Sequence, residues 1–293
     1  MGVLNVSPES FHAGSVRLAA DALLRAALAM VETGAALLDV GARATAPYRE
    51  TAISEAEERD RLGHAVALLA RKVAVPVSAD TARPGPARAA LEAGARVIND
   101  VTGLRDPRVA ALVAEHRAGL ILMASPARVG SSDAWSGRPP EATGLRQPPA
   151  PDPVSPVAKV RELLDAALGR ARAAGIAEER IVVDPGIGFF RDEAVPWDEW
   201  DVRVLAGLPG LCALGRPLCV GLSRKSFIGA IARREHPEER LAGSLAATAV
   251  AVLGGVALVR THDVAETLDA IRVAERIRHA TMARGMDAQG TDR

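Results

Sequence analysis

The stretch Ile181-Val182-Val183-Asp184-Pro185-Gly186-Ile187-Gly188-Phe189 constrains the fold more than any other. A short β-branched run that stops at an acid, a proline and two glycines reads as a buried strand delivering one carboxylate to a tight loop. The same device recurs along the chain. Leu37-Leu38-Asp39, Pro76-Val77-Ser78-Ala79-Asp80, Val97-Ile98-Asn99-Asp100, Leu218-Cys219-Val220-Gly221 running on towards Lys225, and Leu258-Val259-Arg260-Thr261-His262 all put apolar residues first and polar ones last.

Helical patterns separate these runs. Gly2 to Val6, with Asn5, reads as the first strand, and Leu18 to Thr33 as an amphipathic helix stopped by Gly34. Ser54 to Ala70 follows, with Ser54 and Glu57 as a capping box. Helices are then expected over Gly85 to Ala93, Asp106 to His116, Val157 to Ala174, around Val195 to Leu208, over Leu241 to Leu253, and over Val264 to Arg278. With Gly119 to Met123 as the remaining strand, strict alternation, counted as eight strands and eight helices, predicts an α/β fold, a single (β/α)8 TIM barrel spanning residues 1–293. One segment breaks the rhythm: about 125–156, rich in Pro, Gly, Ser and Arg, is expected to be a long mobile loop.

Composition removes several classes of function. Lysine plus arginine (36) balances aspartate plus glutamate (36), so no net field favours nucleic acid or an anionic membrane. Cys212 and Cys219 lack metal-site spacing and form no disulfide framework, which fits a reducing cytoplasm. The most apolar stretch, Leu245 to Val259, is interrupted by Gly254-Gly255 and is too short to span a bilayer, and no targeting leader is read.

In such a barrel the C-terminal strand ends share one mouth, where the active site is expected. That gathers Asn5, Asp39, Asp80, Asn99, Asp184, Lys225, Arg260 and His262. Arg260 and His262, two apart at the last strand end, point the same way on an extended backbone, and the helix that follows offers free N–H groups. Together they predict an anion site for phosphate or pyrophosphate. Asp80, Asn99 and Asp184 suit a flat ligand with several N–H donors, and Lys225 adds a donor for a carbonyl oxygen. Asn5 is a neutral oxygen ligand of the kind that Mg2+ bridging to pyrophosphate accepts.

Ordered motifs across nearly the whole chain then carry a resemblance. Leu4-Asn5-Val6-Ser7-Pro8-Glu9-Ser10-Phe11, Asp39-Val40-Gly41 with Thr45, Asp80-Thr81, Ile98-Asn99-Asp100-Val101, Asp184-Pro185-Gly186-Ile187-Gly188-Phe189, Ser223-Arg224-Lys225-Ser226-Phe227-Ile228-Gly229, Gly243-Ser244-Leu245-Ala246-Ala247 and Arg260-Thr261-His262-Asp263-Val264 resemble the motifs of the dihydropteroate synthase family. The resemblance implies a pterin-binding transferase that displaces pyrophosphate from 6-hydroxymethyl-dihydropterin diphosphate with an aromatic amine. It implies that Asp80, Asn99, Asp184 and Lys225 hold the pterin, and that Asp80, Asp184 and Lys225 serve catalysis. It also implies that Thr45, Arg260 and His262 receive pyrophosphate, that Asn5 meets magnesium, and that the enzyme is a homodimer. Helices Leu241 to Leu253 and Val264 to Arg278 are the candidate contact faces.

Three departures stand out, and the first two fall in loops that the resemblance places on the arylamine side. Folate-making members read Thr-Pro-Asp-Ser-Phe-Ser-Asp-Gly-Gly where this chain has Ser7-Pro8-Glu9-Ser10-Phe11-His12-Ala13-Gly14-Ser15. They read Gly-Gly-Glu-Ser-Thr-Arg-Pro-Gly where it has Gly41-Ala42-Arg43-Ala44-Thr45-Ala46-Pro47-Tyr48, and Gly-Lys-Thr where it has Phe190-Arg191-Asp192. These versions are similar to the tetrahydromethanopterin branch, which implies a ribofuranosyl-aminobenzene phosphate as the amine. Arg43, Arg49 and Arg191 are then candidates for its phosphate, beside Phe189 on the arylamine side. The alternatives are a folate-pathway enzyme using p-aminobenzoate, an inactive pterin-binding paralogue, and a methyltetrahydrofolate:corrinoid methyltransferase-like protein.

Overall fold

The computed structural model describes residues 1–6, 16–43, 53–126, 155–190 and 195–289. Six strands hydrogen-bond in chain order, all parallel: β1 (Gly2–Asn5), β2 (Leu38–Gly41), β3 (Val77–Asp80), β4 (Val97–Asp100), β5 (Gly119–Met123) and β6 (Ile181–Asp184). A second parallel pair, β7 (Cys219–Gly221) and β8 (Leu258–Arg260), completes the set. Isolated bridges Val183↔Leu218 and Gly2↔Thr261 join that pair to β6 and to β1, so the sheet closes on itself as the expected (β/α)8 barrel.

Each strand is only three to five residues long and mostly buried, because helices cover the outside and polar side chains fill the mouth. The helices are α1 (Val16–Glu32), α2 (Glu55–Ala70), α3 (Pro84–Ala93), α4 (Pro107–Glu115), α5 (Pro156–Ala173), α6 (Trp197–Ala206), α7 (Leu208–Cys212), α8 (Ser226–Ala232), α9 (Leu241–Leu253) and α10 (Val264–Gln289). Their apolar faces form one continuous core with the outer faces of the strands, for example Leu62 and Leu69 of α2, Val109 and Val113 of α4, and Leu164 of α5.

Local signals explain the boundaries. Ser54 Oγ accepts the Glu57 N–H at 3.1 Å, as the capping box requires, but the Glu57 carboxylate turns to Arg61 instead of closing the box. Asp106 caps α4 through the Arg108 N–H at 2.9 Å. Gly94 ends α3 at φ 112°, a left-handed cap.

Two short helices, α7 and α8, depart from the expected count of eight. Each is only one or two turns long, below the length at which apolar periodicity registers. Helix α10 also runs past Arg278 to Gln289. Most of the expected loop 125–156 lies outside the described residues. No described helix is long and apolar enough to cross a membrane.

Candidate active site

Strand register builds the site. Asn5 pairs with Gly41, Gly41 with Asp80 and Asp80 with Asn99, so four neighbouring strands present one row of residues at the same height. Gly41 contributes no side chain, and a Cβ there would stand 3.6 Å from the Asp80 Cβ and 3.8 Å from the Asn5 Oδ1. One row lower, Asp39 pairs with Ser78 and is fully buried.

Arg260, at the end of β8, reaches into this row. Its Nε donates to Asp39 Oδ2 at 2.7 Å and its terminal nitrogen to Asp80 Oδ2 at 2.9 Å, and Asn99 Nδ2 donates to the same Asp39 oxygen at 3.1 Å. Asp39 Oδ1 and Asp80 Oδ1 are buried without a hydrogen-bond partner among the described residues. Burial pushes the Asp80 carboxyl up to about 7 against the pull of Arg260, and the charge of Asp39 adds to the rise. One guanidinium faces two carboxylates. Its own proton affinity is raised, because Asp39 and Asp80 outweigh the desolvation that works against its charge.

Asp184 closes β6 and enters the loop that first organised the sequence. Its Oδ1 accepts the Gly186 N–H at 2.7 Å, and burial raises its carboxyl while Gly186 and the Lys225 ammonium oppose the rise. Gly186 is obligatory here. Its φ is +73°, and a Cβ would lie 2.4 Å from the Ala124 carbonyl oxygen. Gly188 has φ +89° and its N–H is held at 2.8 Å by Asp201 Oδ1 from α6, a fully buried carboxylate. The Lys225 side chain lies against this loop, with Nζ 5.0 Å from the Phe189 ring centroid.

The predicted set therefore comes together in part. Asp80, Asn99, Asp184, Lys225 and Arg260 share the mouth, and Phe189 flanks Lys225. Asn5 is exposed at the end of the same row as Asp80. Of the two residues read as an anion site, Arg260 points inward to the two carboxylates, and His262 lies past the strand on the rim, its Nδ1 3.1 Å from Ser223 Oγ. Desolvation, then the charge of Arg260, lowers the His262 imidazole below its ordinary value. The Asp263 N–H, expected to be free, is taken by Thr261 Oγ1 at 3.1 Å.

Arg43 sits beside α2. Its Nε lies 3.9 Å from the carboxylate of Glu58, a buried residue on α2 that also accepts from Thr81 Oγ1 at 2.6 Å and from Arg83 at 3.0 Å. Phe190, one of the family departures, packs in the core with its ring stacked on Trp200 at 4.8 Å. Thr45, Arg49 and Arg191 lie outside the described residues. Asp39 was legible as a strand end but not as the hub of the site. Glu58 was hidden in an acidic run, and Asp201 stands 13 positions after the glycine it holds.

The chain matches the family model described as "Pterin binding enzyme" over residues 1–262. It is 36% identical over 276 residues to a dihydropteroate synthase of Synechocystis, covering 94% of this chain and 88% of that protein. The solved structure of a Xanthomonas albilineans dihydropteroate synthase with 4-aminobenzoic acid superposes with a TM-score of 0.79 at 38% identity, covering 95% and 92% of the two chains. The same enzyme in complex with 7,8-dihydropteroate gives a TM-score of 0.76 at 37% identity over the same shares.

Proposed function

The chain belongs to the pterin-binding enzyme family, and on that premise we propose that it condenses a 6-hydroxymethyl-dihydropterin diphosphate with p-aminobenzoate and releases pyrophosphate. It is a transferase of the dihydropteroate synthase type, as its relatives are named. The choice of amine is our own step. It rests on the named relatives, one of them solved with 4-aminobenzoic acid.

The single observation that supports the pterin reading is the pair of buried, unpartnered oxygens on Asp39 and Asp80 beside Asn99. Buried acceptors without donors favour a ligand that brings N–H groups. In this reading Asp80, Asn99 and the second oxygen of Asp184 take the ring's amino and amide protons, and Lys225 donates to its carbonyl. Catalysis asks for no protein nucleophile. As the carbon–oxygen bond to the diphosphate stretches, the carboxylates stabilise positive charge spread over the pterin methylene, while Arg260, His262 and Thr45 serve the leaving group.

Magnesium fits as a visitor with the diphosphate. Among the described residues no group of three His, Cys, Asp or Glu could hold a metal, and Asn5 offers one exposed amide oxygen at the mouth. That donor suits an ion carried mainly by diphosphate oxygens and water. Such an ion would neutralise the charge of the leaving group.

A homodimer through α9 and α10 remains part of the proposal. Both helices expose large apolar side chains, Val250 and Leu253 on α9 and Val273 and Ile277 on α10.

The test is pyrophosphate release with magnesium and the pterin diphosphate, run with p-aminobenzoate and with the ribofuranosyl-aminobenzene phosphate. Release with p-aminobenzoate is expected. Release with the ribosylated amine alone would reassign the amine, and release with neither despite pterin binding would point to the inactive paralogue or the methyl-transfer protein.

A further inference from the structure

Beyond their last paired residues, Gly221 and Arg260, strands β7 and β8 share no further ladder. The turns that follow carry Lys225 on one side and His262 on the other. Something other than sheet hydrogen bonds must fix their separation.

That something is a side-chain clamp. Arg224 donates from Nε to Asp263 Oδ2 at 3.0 Å and from a terminal nitrogen to Asp263 Oδ1 at 2.5 Å, a two-point guanidinium–carboxylate pair. Asp263 directly follows His262, and Arg224 directly precedes Lys225. The backbone of Arg224 is also held. Its N–H donates to Ser244 Oγ at 2.8 Å, its carbonyl accepts from Arg240 at 3.1 Å, and Ser244 Oγ in turn donates to the Arg240 carbonyl at 2.8 Å. These bonds come from the start of α9, a rigid element outside the mouth.

Arg224 sits at φ +57°, a left-handed conformation that a non-glycine residue adopts only when its surroundings enforce it. The conformation turns its side chain to Asp263 and sends the next residue, Lys225, to the Phe189 loop. Ser223 completes the arrangement, with Oγ 3.1 Å from His262 Nδ1 and 3.4 Å from Asp263 Oδ2.

We propose that Arg224 and Asp263 are positioning residues, whose two-point ion pair sets the distance between Lys225 and His262 across the mouth. Each is occupied by the other, and neither acts on substrate. The inference rests on the proposed transferase reading, because it gives Lys225 and His262 a common substrate to span. A pair that acted only in stability would leave that span unchanged in the folded enzyme.

The experiment compares wild type with Arg224→Lys, Arg224→Gln, Asp263→Asn and the exchanged double variant carrying Arg224→Asp and Asp263→Arg. It measures thermal midpoint, kcat, KM for the pterin diphosphate, and calorimetric affinity for 6-hydroxymethylpterin with and without its diphosphate. Arg224→Gln and Asp263→Asn are expected to lower kcat by about 10- to 100-fold per folded enzyme, as loss of a supporting partner does elsewhere. The affinity gained on adding the diphosphate should shrink by a larger factor than the affinity for the pterin without diphosphate, which loses only the Lys225 contact and keeps Asp80, Asn99 and Asp184 on other strands. Arg224→Lys, which keeps charge but loses the fork, should fall between, and the exchanged double should recover part of the loss. Variants with lowered thermal midpoints but kcat and diphosphate affinity within about 2-fold of wild type would overturn the inference alone. A wild-type protein that neither binds the pterin diphosphate nor releases pyrophosphate would overturn the function reading, and the inference with it.

Discussion

Arg260 and Asp39 stand 221 positions apart in the chain and meet at 2.7 Å across the barrel mouth, between the last strand and the second. Asp39 has no solvent exposure and Arg260 keeps about a quarter of its side chain accessible. The pair is therefore a buried anion answered by a partly wet cation, shared with Asp80.

Removing the cation should be worse than removing one anion. Arg260→Ala leaves two buried carboxylates facing each other, and a loss of about 3 kcal/mol in unfolding free energy is expected, discounted to the low end for the exposed side of the guanidinium. Asp39→Asn keeps an acceptor and should lose less. Urea denaturation of both variants checks the order; equal losses would refute the shared-cation account.

The raised Asp80 carboxyl sets a pH window. Between 3.8, the ordinary value, and about 7 the unfolded chain has lost this proton while the folded protein keeps it. Raising pH through that window draws the equilibrium towards the unfolded state, so the stability contributed by this group is full below the window and gone above it. Asp80→Asn, which does not titrate, should gain on wild type from about pH 4 to about pH 7 and then run parallel to it. Denaturant midpoints against pH measure the difference, and a flat difference would refute the prediction.

Asp201 supports the loop from behind. Asp201→Ala deprives the buried Gly188 N–H of its acceptor and should destabilise by about 2 kcal/mol. Turnover should fall too, since Gly188 backs Lys225 and precedes Phe189. Asp201→Asn retains an acceptor oxygen and should restore most of both losses in the same assays.

Two glycine substitutions predict opposite outcomes. Gly186→Ala meets the Ala124 carbonyl at 2.4 Å in a left-handed conformation, and a loss of at least about 2 kcal/mol is expected. Gly169→Ala, within α5 and with nothing within 4 Å of its Cβ, should gain about 0.5 to 1 kcal/mol. Thermal unfolding of the two variants settles both.

The barrel was legible because its strands are short, β-branched and end in polar residues, and because α9 and the Ser54 and Gly94 boundaries follow local rules. Asp80, Asn99 and Asp184 were found for the same reason: a polar residue that ends an apolar strand has few places to go. Glu58 was missed because Glu55 to Asp60 reads as a solvated acidic face, and only the approach of Thr81 and Arg83 buries it. Spacing alone did not show that Arg260 and His262 face different partners, because the strand ends at Arg260 and His262 already belongs to a turn. Spacing also gave no hint that Arg43 turns to α2, since that contact is tertiary.

Each of the two seams that close the barrel is a single bridge, and the charges divide along them. Asp39, Asp80 and Asp184 belong to the six-strand piece, whereas Arg260 and the residues that lead to Lys225 and His262 belong to the two-strand piece. The barrel thus resembles a cylinder with a separately hung stave, kept shut by backbone hydrogen bonds at both seams, such as Val3 N–H to the Thr261 carbonyl and Val183 N–H to the Pro217 carbonyl, and by opposite charge across the mouth. Changes in the two-strand stave can therefore reshape one side of the mouth without re-registering the six-strand wall.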